Sequence, residues 1–157
     1  RADCEAAAAY FDVEFLRDVT IDELESARRQ IGERIYRRAR HVITEMARVH
    51  DFYAALEAGD TTRAGTLMAA SHRSLRDDYE VSCQEVDNLV KLAVRLGAVG
   101  SRMMGGGFGG SLVNLIETDE ASRFAEAIVA CHREKNGVEV EAMPVKLVGG
   151  AHIEGRG

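Results

Sequence analysis

The fold of this chain is decided by the sequence GSRMMGGGFGGSLVNLI, which occupies residues 100–116. Five of the six residues from 105 to 110 are glycine, and each glycine loses more backbone freedom on folding than any other residue. Such a run exposes successive backbone N–H groups, which can form an anion-binding concavity. The apolar run 112–116 that follows, and the mostly apolar run 98–104 that precedes, favour extended strands. We therefore predict a strand, a glycine loop and a second strand.

The glycine pattern matches known loop motifs only in part. Gly105, Gly107 and Gly110 satisfy G-x-G-x-x-G, but the dinucleotide motif must open a helix, whose N-terminus receives the pyrophosphate. A protein-kinase glycine loop does lie between strands, yet the chain contains no V-A-I-K, H-R-D or D-F-G, and no G-x-x-x-x-G-K-[ST]. Two interpretations stay open: a tight hairpin whose glycines only relieve crowding, and a loop close to phosphate.

Three sequence blocks together resemble the galactokinases, which belong to the GHMP small-molecule kinases. GSRMMGGGFGGS at residues 100–111 is similar to their third, C-terminal glycine motif. SHRSLRDDYEVS at 71–82 is similar to the segment that marks galactokinases within the superfamily, and RARHVITE at 38–45 also fits. The blocks follow the order of the family, and their combination is specific although each alone is weak.

The resemblance implies a fold, a reaction and a set of site residues. The fold is α+β, a ferredoxin-like GHMP kinase C-terminal domain with an antiparallel sheet and several helices. The complete enzyme would move the γ-phosphoryl group of Mg-ATP onto the anomeric hydroxyl of galactose, with ATP and Mg²⁺ as its cofactors. The residues implied near the ATP phosphates are Gly105, Gly106, Gly107, Phe108, Gly109 and Gly110. Those implied at the edge of the cleft are Ser71, His72, Arg76, Asp77, Asp78 and Ser82.

The resemblance covers only the back half of such an enzyme. The catalytic base, the sugar-contact motif and the glycine-serine motif around the ATP phosphates are expected in a missing N-terminal domain, the main partner of this chain. We expect the isolated chain to be inactive, to hold no catalytic residue, metal or tightly bound cofactor, and to self-associate through its uncovered surface. The alternative is a non-catalytic sugar-binding or regulatory protein on the same scaffold.

Three positions depart from the family pattern. Met104 stands where galactokinases usually have threonine, Ser111 where they have cysteine, and Gln84 where they have proline. The serine is a benign change. A methionine cannot donate a hydrogen bond, so we expect no hydroxyl contact from position 104 to the phosphate loop.

The composition describes a foldable, acidic chain. Its 157 residues are 46% hydrophobic and 29% charged, with a net charge of −6, which argues against a nucleic-acid surface. No apolar run reaches the length of a membrane span. Cys4, Cys83 and Cys131 are widely spaced, as expected of reduced thiols in a cytoplasmic protein, and no C-x-x-C suggests a zinc site.

Apolar spacing and capping residues predict most of the helices. Thr20 with Glu23, and Ser82 with Glu85, have the capping-box pattern. Residues 138–143 alternate like a half-buried strand, and the only proline, Pro144, follows them. The predicted helices cover residues 1–17, a short segment from 21, 31–56, a segment from Asp60 or Thr61, 83–96, and 118 or 119 to 135.

Charged residues on these helices allow both structural and functional interpretations. The structural interpretation of the arginines on the 31–56 helix is a solvated face, and the functional interpretation places one of them near a phosphate or a partner domain. These arginines are Arg34, Arg37, Arg38, Arg40 and Arg48. Arg73/Asp77 and Arg76/Glu80 have the spacing of surface ion pairs.

A hydrolase triad of Ser71, His72 and Asp77 is improbable because adjacent helical side chains diverge by about 100°. We instead expect His72 and Asp78 to be buried polar groups that fix this turn at the edge of the cleft.

Domain bounds are expected at 1–151, with residues 152–157 as a tail in which IEGR resembles a protease-site scar introduced by cloning. The chain is expected to begin partway through a galactokinase.

Overall fold

The computed structural model describes residues 1–136 and 139–145. In this part the chain forms six α-helices, two short 3₁₀ helices and a two-stranded sheet, which confirms the predicted α+β class. The helices are α1 (Ala2–Tyr10), α2 (Ile21–Ile31), α3 (Glu33–Glu57), α4 (Thr61–Asp77), α5 (Gln84–Arg95) and α6 (Ala121–Asn136). The strands are β1 (Gly100–Met104) and β2 (Ser111–Leu115), and the 3₁₀ helices are Leu16–Asp18 and Thr118–Glu120.

The glycine run connects two antiparallel strands, as predicted. Gly100 pairs with Leu115 at the open end of the hairpin and Met104 pairs with Ser111 beside the loop. Since β1 packs mainly on α4 and also on α5, the helices fix the direction in which the strand delivers the chain into the glycine loop.

Two glycines allow α4 and β1 to approach each other closely. A Cβ at Gly65 would lie 2.0 Å from the Val99 carbonyl oxygen, and a Cβ at Gly100 would lie 2.7 Å from the Gly65 Cα. Both neighbours are backbone atoms that cannot turn aside as a side chain can. The helix and the strand therefore pack at a distance that only glycine permits.

Within residues 1–136 and 139–145, the apolar core consists of three clusters. The first joins α1, α2 and α3, the second joins α5 and α6, and the third lies between α4, α5 and β1. The third is the smallest and lies beside the glycine loop; its buried residues are Leu75, Val86 and Met103.

The long helix α3 agrees with the prediction in extent but not in burial. Gly32 separates it from α2 with a φ of 82°, so the predicted start at Ile31 is wrong. The apolar spacing within residues 31–56 places Ala39, Met46, Val49 and Tyr53 on one face of the helix, but Met46, Val49 and Tyr53 are exposed while Ala39 is buried. Ala39 and Val42 on this face pack in the cluster shared with α1 and α2, and Phe52 near the other end is half-buried.

The first predicted helix is shorter than residues 1–17 because a C-terminal motif ends α1 early. Asp12 takes a φ of 52°, its N–H donates to the Ala9 carbonyl, and the Val13 N–H donates to the Ala8 carbonyl. These are the two bonds of a Schellman motif. This end could not be predicted from the sequence, because aspartate rather than glycine occupies the left-handed position.

The cap predictions had mixed outcomes. Thr20 and Glu23 form the predicted capping box on α2, and the Asp60 side chain caps α4 by accepting from the Arg63 N–H at 2.9 Å. The capping box at Ser82 is wrong: Cys83 is the N-cap of α5 and makes no side-chain cap bond. The Ser82 hydroxyl instead donates to Asp87 Oδ1 at 2.6 Å.

The strand predicted at residues 138–143 is not formed at its described positions. Residues 139–145 have no regular secondary structure. Their burial nevertheless alternates as predicted, with Val140 and Ala142 partly covered and Glu139, Glu141 and Met143 exposed. Alternation reports which side of a segment is covered, whereas a strand also needs a hydrogen-bonding edge beside it. Residue 138 and residues 146–148 lie outside the described residues.

The ion pair predicted between Arg76 and Glu80 is also wrong. Helix α4 ends at Asp77 and Glu80 has a φ of 55°, so the two residues are not one helical turn apart. Arg76 pairs with its neighbour Asp77 at 2.7 Å, and Glu80 pairs with Arg37 at 2.5 Å and with Arg38. Within the described residues, no helix is long and apolar enough to cross a membrane.

We predict that Gly65→Ala destabilises the chain by about 1–3 kcal/mol, the usual cost of overpacking a core. Alanine is the better helix former by about 1 kcal/mol, so a net loss must come from the contact with Val99. Chemical denaturation measures the change. Gly106→Ala is the matched control, because nothing lies within 4 Å of its added Cβ. Equal stability of both variants would contradict the close approach.

Candidate functional site

The glycine loop forms an open concave surface at the tip of the hairpin. Residues 104–111 line a cavity of about 420 Å³ there. Met104 is half-exposed on its rim, and Phe108 is 76% exposed. Since these are the only bulky side chains among residues 104–111, most of the concave surface consists of backbone.

The underside of the loop rests on Val81. A Cβ at Gly107 would lie 2.6 Å from both the Cβ and the carbonyl oxygen of Val81. The Phe108 N–H donates to that carbonyl at 2.6 Å, which holds Phe108 at a φ of 60°, a region that non-glycine residues seldom adopt. The loop is therefore fixed from below by a specific backbone contact.

Gly106, in contrast to Gly107, borders open space. An added Cβ there would meet no atom within 4 Å, so the packing of this chain gives no reason for glycine at that position. The contrast assigns different roles to neighbouring glycines: Gly107 makes room for Val81, and Gly106 leaves the outer face of the loop free of side chains.

A buried polar network joins β1, α4 and α5 beside the loop. The Met103 N–H donates to His72 Nδ1 at 3.4 Å, and His72 Nε2 lies 3.2 Å from Asp87 Oδ1 in an approach too bent for a good hydrogen bond. The Ser82 hydroxyl donates to the same Asp87 oxygen. Because Nδ1 accepts, the neutral ring has its proton on Nε2, facing the carboxylate.

Burial keeps this imidazole neutral. His72 is only 4% exposed, and desolvation lowers its pKa from the usual value, although the Asp87 carboxylate opposes the shift. A neutral ring is what the Met103 contact requires, since a protonated Nδ1 could not accept.

A second network centres on Glu45 of α3. Its Oε1 accepts from the Ser71 hydroxyl at 2.5 Å and from Arg102 at 2.9 Å, and its Oε2 pairs with Arg48 at 2.7 Å. Burial alone would raise the pKa of Glu45, but the bonds from Ser71 and Arg48 and the two arginine charges leave that pKa below its usual value. The carboxylate thus stays ionised and links α3, α4 and β1.

A third network fixes the turn at residues 77–82. Asp78 is 6% exposed and accepts from the Ser74 hydroxyl at 2.9 Å and from Arg40. His41 Nδ1 lies 3.0 Å from the same Ser74 oxygen, and burial lowers the His41 pKa. Its ring stacks on Tyr79 with centroids 4.7 Å apart.

The arginines of α3 hold the backbone of this 77–82 turn. Arg37 donates to the Asp77 carbonyl at 2.8 Å, and Arg38 donates to the Asp78 carbonyl. Arg34 pairs with Asp3 at 2.7 Å and so ties α1 to α3. Neither sequence interpretation anticipated this result, because these arginines bind partners within the chain itself.

The predicted cleft-edge residues thus fall into separate groups. His72 and Ser82 converge on Asp87, Ser71 binds Glu45, and Asp78 lies in the Ser74 network, while Arg76 and Asp77 pair with each other. Ser71 and His72 point to different partners, as the helical geometry predicted. His72 and Asp78 are buried polar groups, also as predicted.

Sequence reasoning missed Glu45, Ser74 and Asp87 as network centres. Glu45 closes the 38–45 block and Ser74 lies inside the 71–82 block, so position within those blocks was the available signal. Asp87 lies outside all three blocks, and only the fold brings it to His72.

Comparison with known proteins agrees with these features. The family model described as GHMP kinases C terminal matches residues 52–134. Human galactokinase is 51% identical over 122 residues, which are 77% of this chain and 31% of the human protein. The galactokinase of Streptomyces coelicolor is 44% identical over 130 residues, 82% of this chain and 34% of that protein. The chain therefore spans about a third of the length of these relatives.

A solved structure shares the fold. The crystal structure of Lactococcus lactis galactokinase complexed with galactose superposes with a TM-score of 0.79 and 34% sequence identity, over 88% of this chain and 37% of that one. Because the family model covers more than half of the residues, and the relatives and the solved structure named here are galactokinases, the resemblance drawn from the three blocks is confirmed: the chain belongs to the GHMP kinase C-terminal family.

Proposed function

We propose that this chain is the C-terminal part of an ATP-dependent galactokinase that phosphorylates the anomeric hydroxyl of galactose. The observation that supports it most is the glycine loop, whose underside is fixed on Val81 while its outer face at Gly106 is free of side chains. The substrate class follows from the relatives, which are galactokinases at 44–51% identity over 77–82% of this chain.

The loop would contribute position rather than chemistry. Phosphoryl transfer depends mainly on positioning and on electrostatic stabilisation of the transferred group. A backbone surface that is fixed before substrate binds can lie close to phosphate oxygens and exclude water, and its N–H groups can face the negative charge. We place residues 105–110 next to the ATP phosphates in this role.

The cofactors would be ATP and Mg²⁺, held mostly by other parts of the enzyme. Among residues 1–136 and 139–145, no group of three or more His, Cys, Asp or Glu side chains is placed to hold a metal ion. On the family resemblance, we assign the magnesium ligands and the catalytic base to the two thirds of the relatives that this chain does not span. The three networks of this chain would orient the loop without touching the reacting atoms.

The exposed rim of the loop would contact that other part of the enzyme. Phe108 and Met104 present apolar surface around a backbone concavity, and the 71–82 segment lies directly behind it. Uncovered, such a surface favours self-association.

We further propose a cytoplasmic enzyme, with residues 1–151 as the domain and 152–157 as a tail outside it.

The two neighbouring glycines provide a prediction with separate readouts. In the full-length enzyme, Gly106→Val should lower turnover by at least about tenfold, since small displacements at a reacting centre have large kinetic effects, with the unfolding free energy nearly unchanged. Gly107→Val should lower both, because its side chain meets Val81 and its φ of 93° is unfavourable for valine. Steady-state kinetics and chemical denaturation measure the two effects.

Ala130→Val is the control, since it introduces the same valine side chain at an exposed position of α6. It should change neither quantity beyond the small effects typical of surface sites. Normal turnover in Gly106→Val would contradict the placement of the loop next to the ATP phosphates. No turnover in the unaltered full-length protein would favour the non-catalytic interpretation.

We also predict that this chain alone is folded but has no galactokinase activity. It has three apolar clusters of its own, whereas the proposed base and phosphate-binding motif are elsewhere. Circular dichroism should show a cooperative transition, and a coupled assay with galactose and Mg-ATP should show no turnover.

Adding the N-terminal part of the parent enzyme in trans tests the assignment further. Restored turnover, or at least binding between two folded parts, is expected. Turnover by this chain alone would contradict the assignment of the catalytic groups, and no binding between the folded parts would contradict the proposed interface.

A further inference from the structure

We propose that His72 is a positioning residue for the glycine loop. As a neutral imidazole it would connect the Met103 amide of β1 to Asp87 of α5, and so fix the point where β1 enters the loop. This role deepens the proposed function because it concerns the same loop, but the contacts that support it lie wholly within this chain.

The loop is held at two points that meet at adjacent residues. At its entrance, the Met103 N–H bonds to His72 Nδ1, and the Nε2 side of the ring faces Asp87, which also accepts from Ser82. At its middle, the Phe108 N–H bonds to the carbonyl of Val81. Because Val81 and Ser82 are neighbours, a shift of the imidazole would move the entrance of the loop relative to its support.

The Met103 amide lies on the edge of β1 that no strand covers within the described residues, where β2 is the only strand paired with it. A buried backbone N–H without a partner is unfavourable, so His72 Nδ1 contributes a hydrogen bond as well as packing. Met103 itself is only 1% exposed, which leaves little room for water to replace the ring.

Charged groups surround the ring from each element packed on it. Asp87 faces it from α5, Arg76 and Asp77 from α4, and Arg102 from β1. One carboxylate near Nε2 favours the proton there, while the arginines oppose a second proton on Nδ1. The arrangement selects the neutral form that has its proton on Nε2.

The test compares two substitutions that each keep one half of the contact. In His72→Asn the amide oxygen replaces Nδ1 as acceptor for Met103, and in His72→Gln the amide nitrogen replaces Nε2 as donor toward Asp87. Amide hydrogen exchange by NMR on this chain reads the order of the loop without requiring turnover. His72→Gln should speed exchange at Met103 and Phe108 about three- to tenfold, the factor expected from losing one hydrogen bond.

His72→Asn should keep the exchange rates at Met103 and Phe108 close to those of the unaltered chain. His132→Gln is the matched control, since it replaces another buried imidazole, on α6, and it should leave Met103 and Phe108 unchanged. Equal loop exchange in His72→Gln and the control would overturn the proposal, as would acceleration in His72→Asn as large as in His72→Gln.

A second measurement needs no variant to fold. The ¹⁵N chemical shifts of the His72 ring in the unaltered chain should show a neutral ring protonated on Nε2 at neutral pH. A ring protonated on Nδ1 would rule out the bond from Met103. Neither measurement reads activity, so an inactive parent protein would overturn the proposed function and leave this test decisive.

Discussion

The hydrogen bond from the Phe108 amide to the Val81 carbonyl is the contact on which the glycine loop depends. It holds a non-glycine residue in the left-handed region, which costs about 1–3 kcal/mol unless the surroundings compensate. Val81 can do so because its own N–H donates to the Leu75 carbonyl at 3.1 Å. Both backbone groups of one residue are thereby used, one toward α4 and one toward the loop.

Charged side chains hold the 77–82 turn, which contains Val81. Arg37 and Arg38 of α3 bind its carbonyl groups, and the buried Asp78 is paired with Arg40 and with Ser74. Burying a charge is unfavourable unless it is paired and hydrogen-bonded, and here Arg40 of α3 and Ser74 of α4 are the partners of Asp78. The long helix α3 thus acts as the frame that places the 77–82 turn under the loop.

Local sequence patterns predicted local structure well. The apolar runs around the glycines predicted the hairpin, and Thr20 with Glu23 predicted a cap that the structure contains. The partners of the arginines could not be predicted, because about 40 residues separate Arg38 from Asp78 and Glu80. For the same reason Asp87 went unnoticed, and Ser82 was misassigned to a cap when its hydroxyl bonds Asp87. Spacing identifies helix faces, but only the fold decides which faces meet.

The most direct test of this account is the scalar coupling across the hydrogen bond between the Phe108 amide nitrogen and the Val81 carbonyl carbon, measured by NMR. At a donor–acceptor distance of 2.6 Å, the coupling should be among the larger ones in the chain, since such couplings increase as hydrogen bonds shorten, and Gly107→Ala should abolish it. A loop amide with no coupling to Val81 in the unaltered chain would contradict the claim that the 77–82 turn positions the glycine loop.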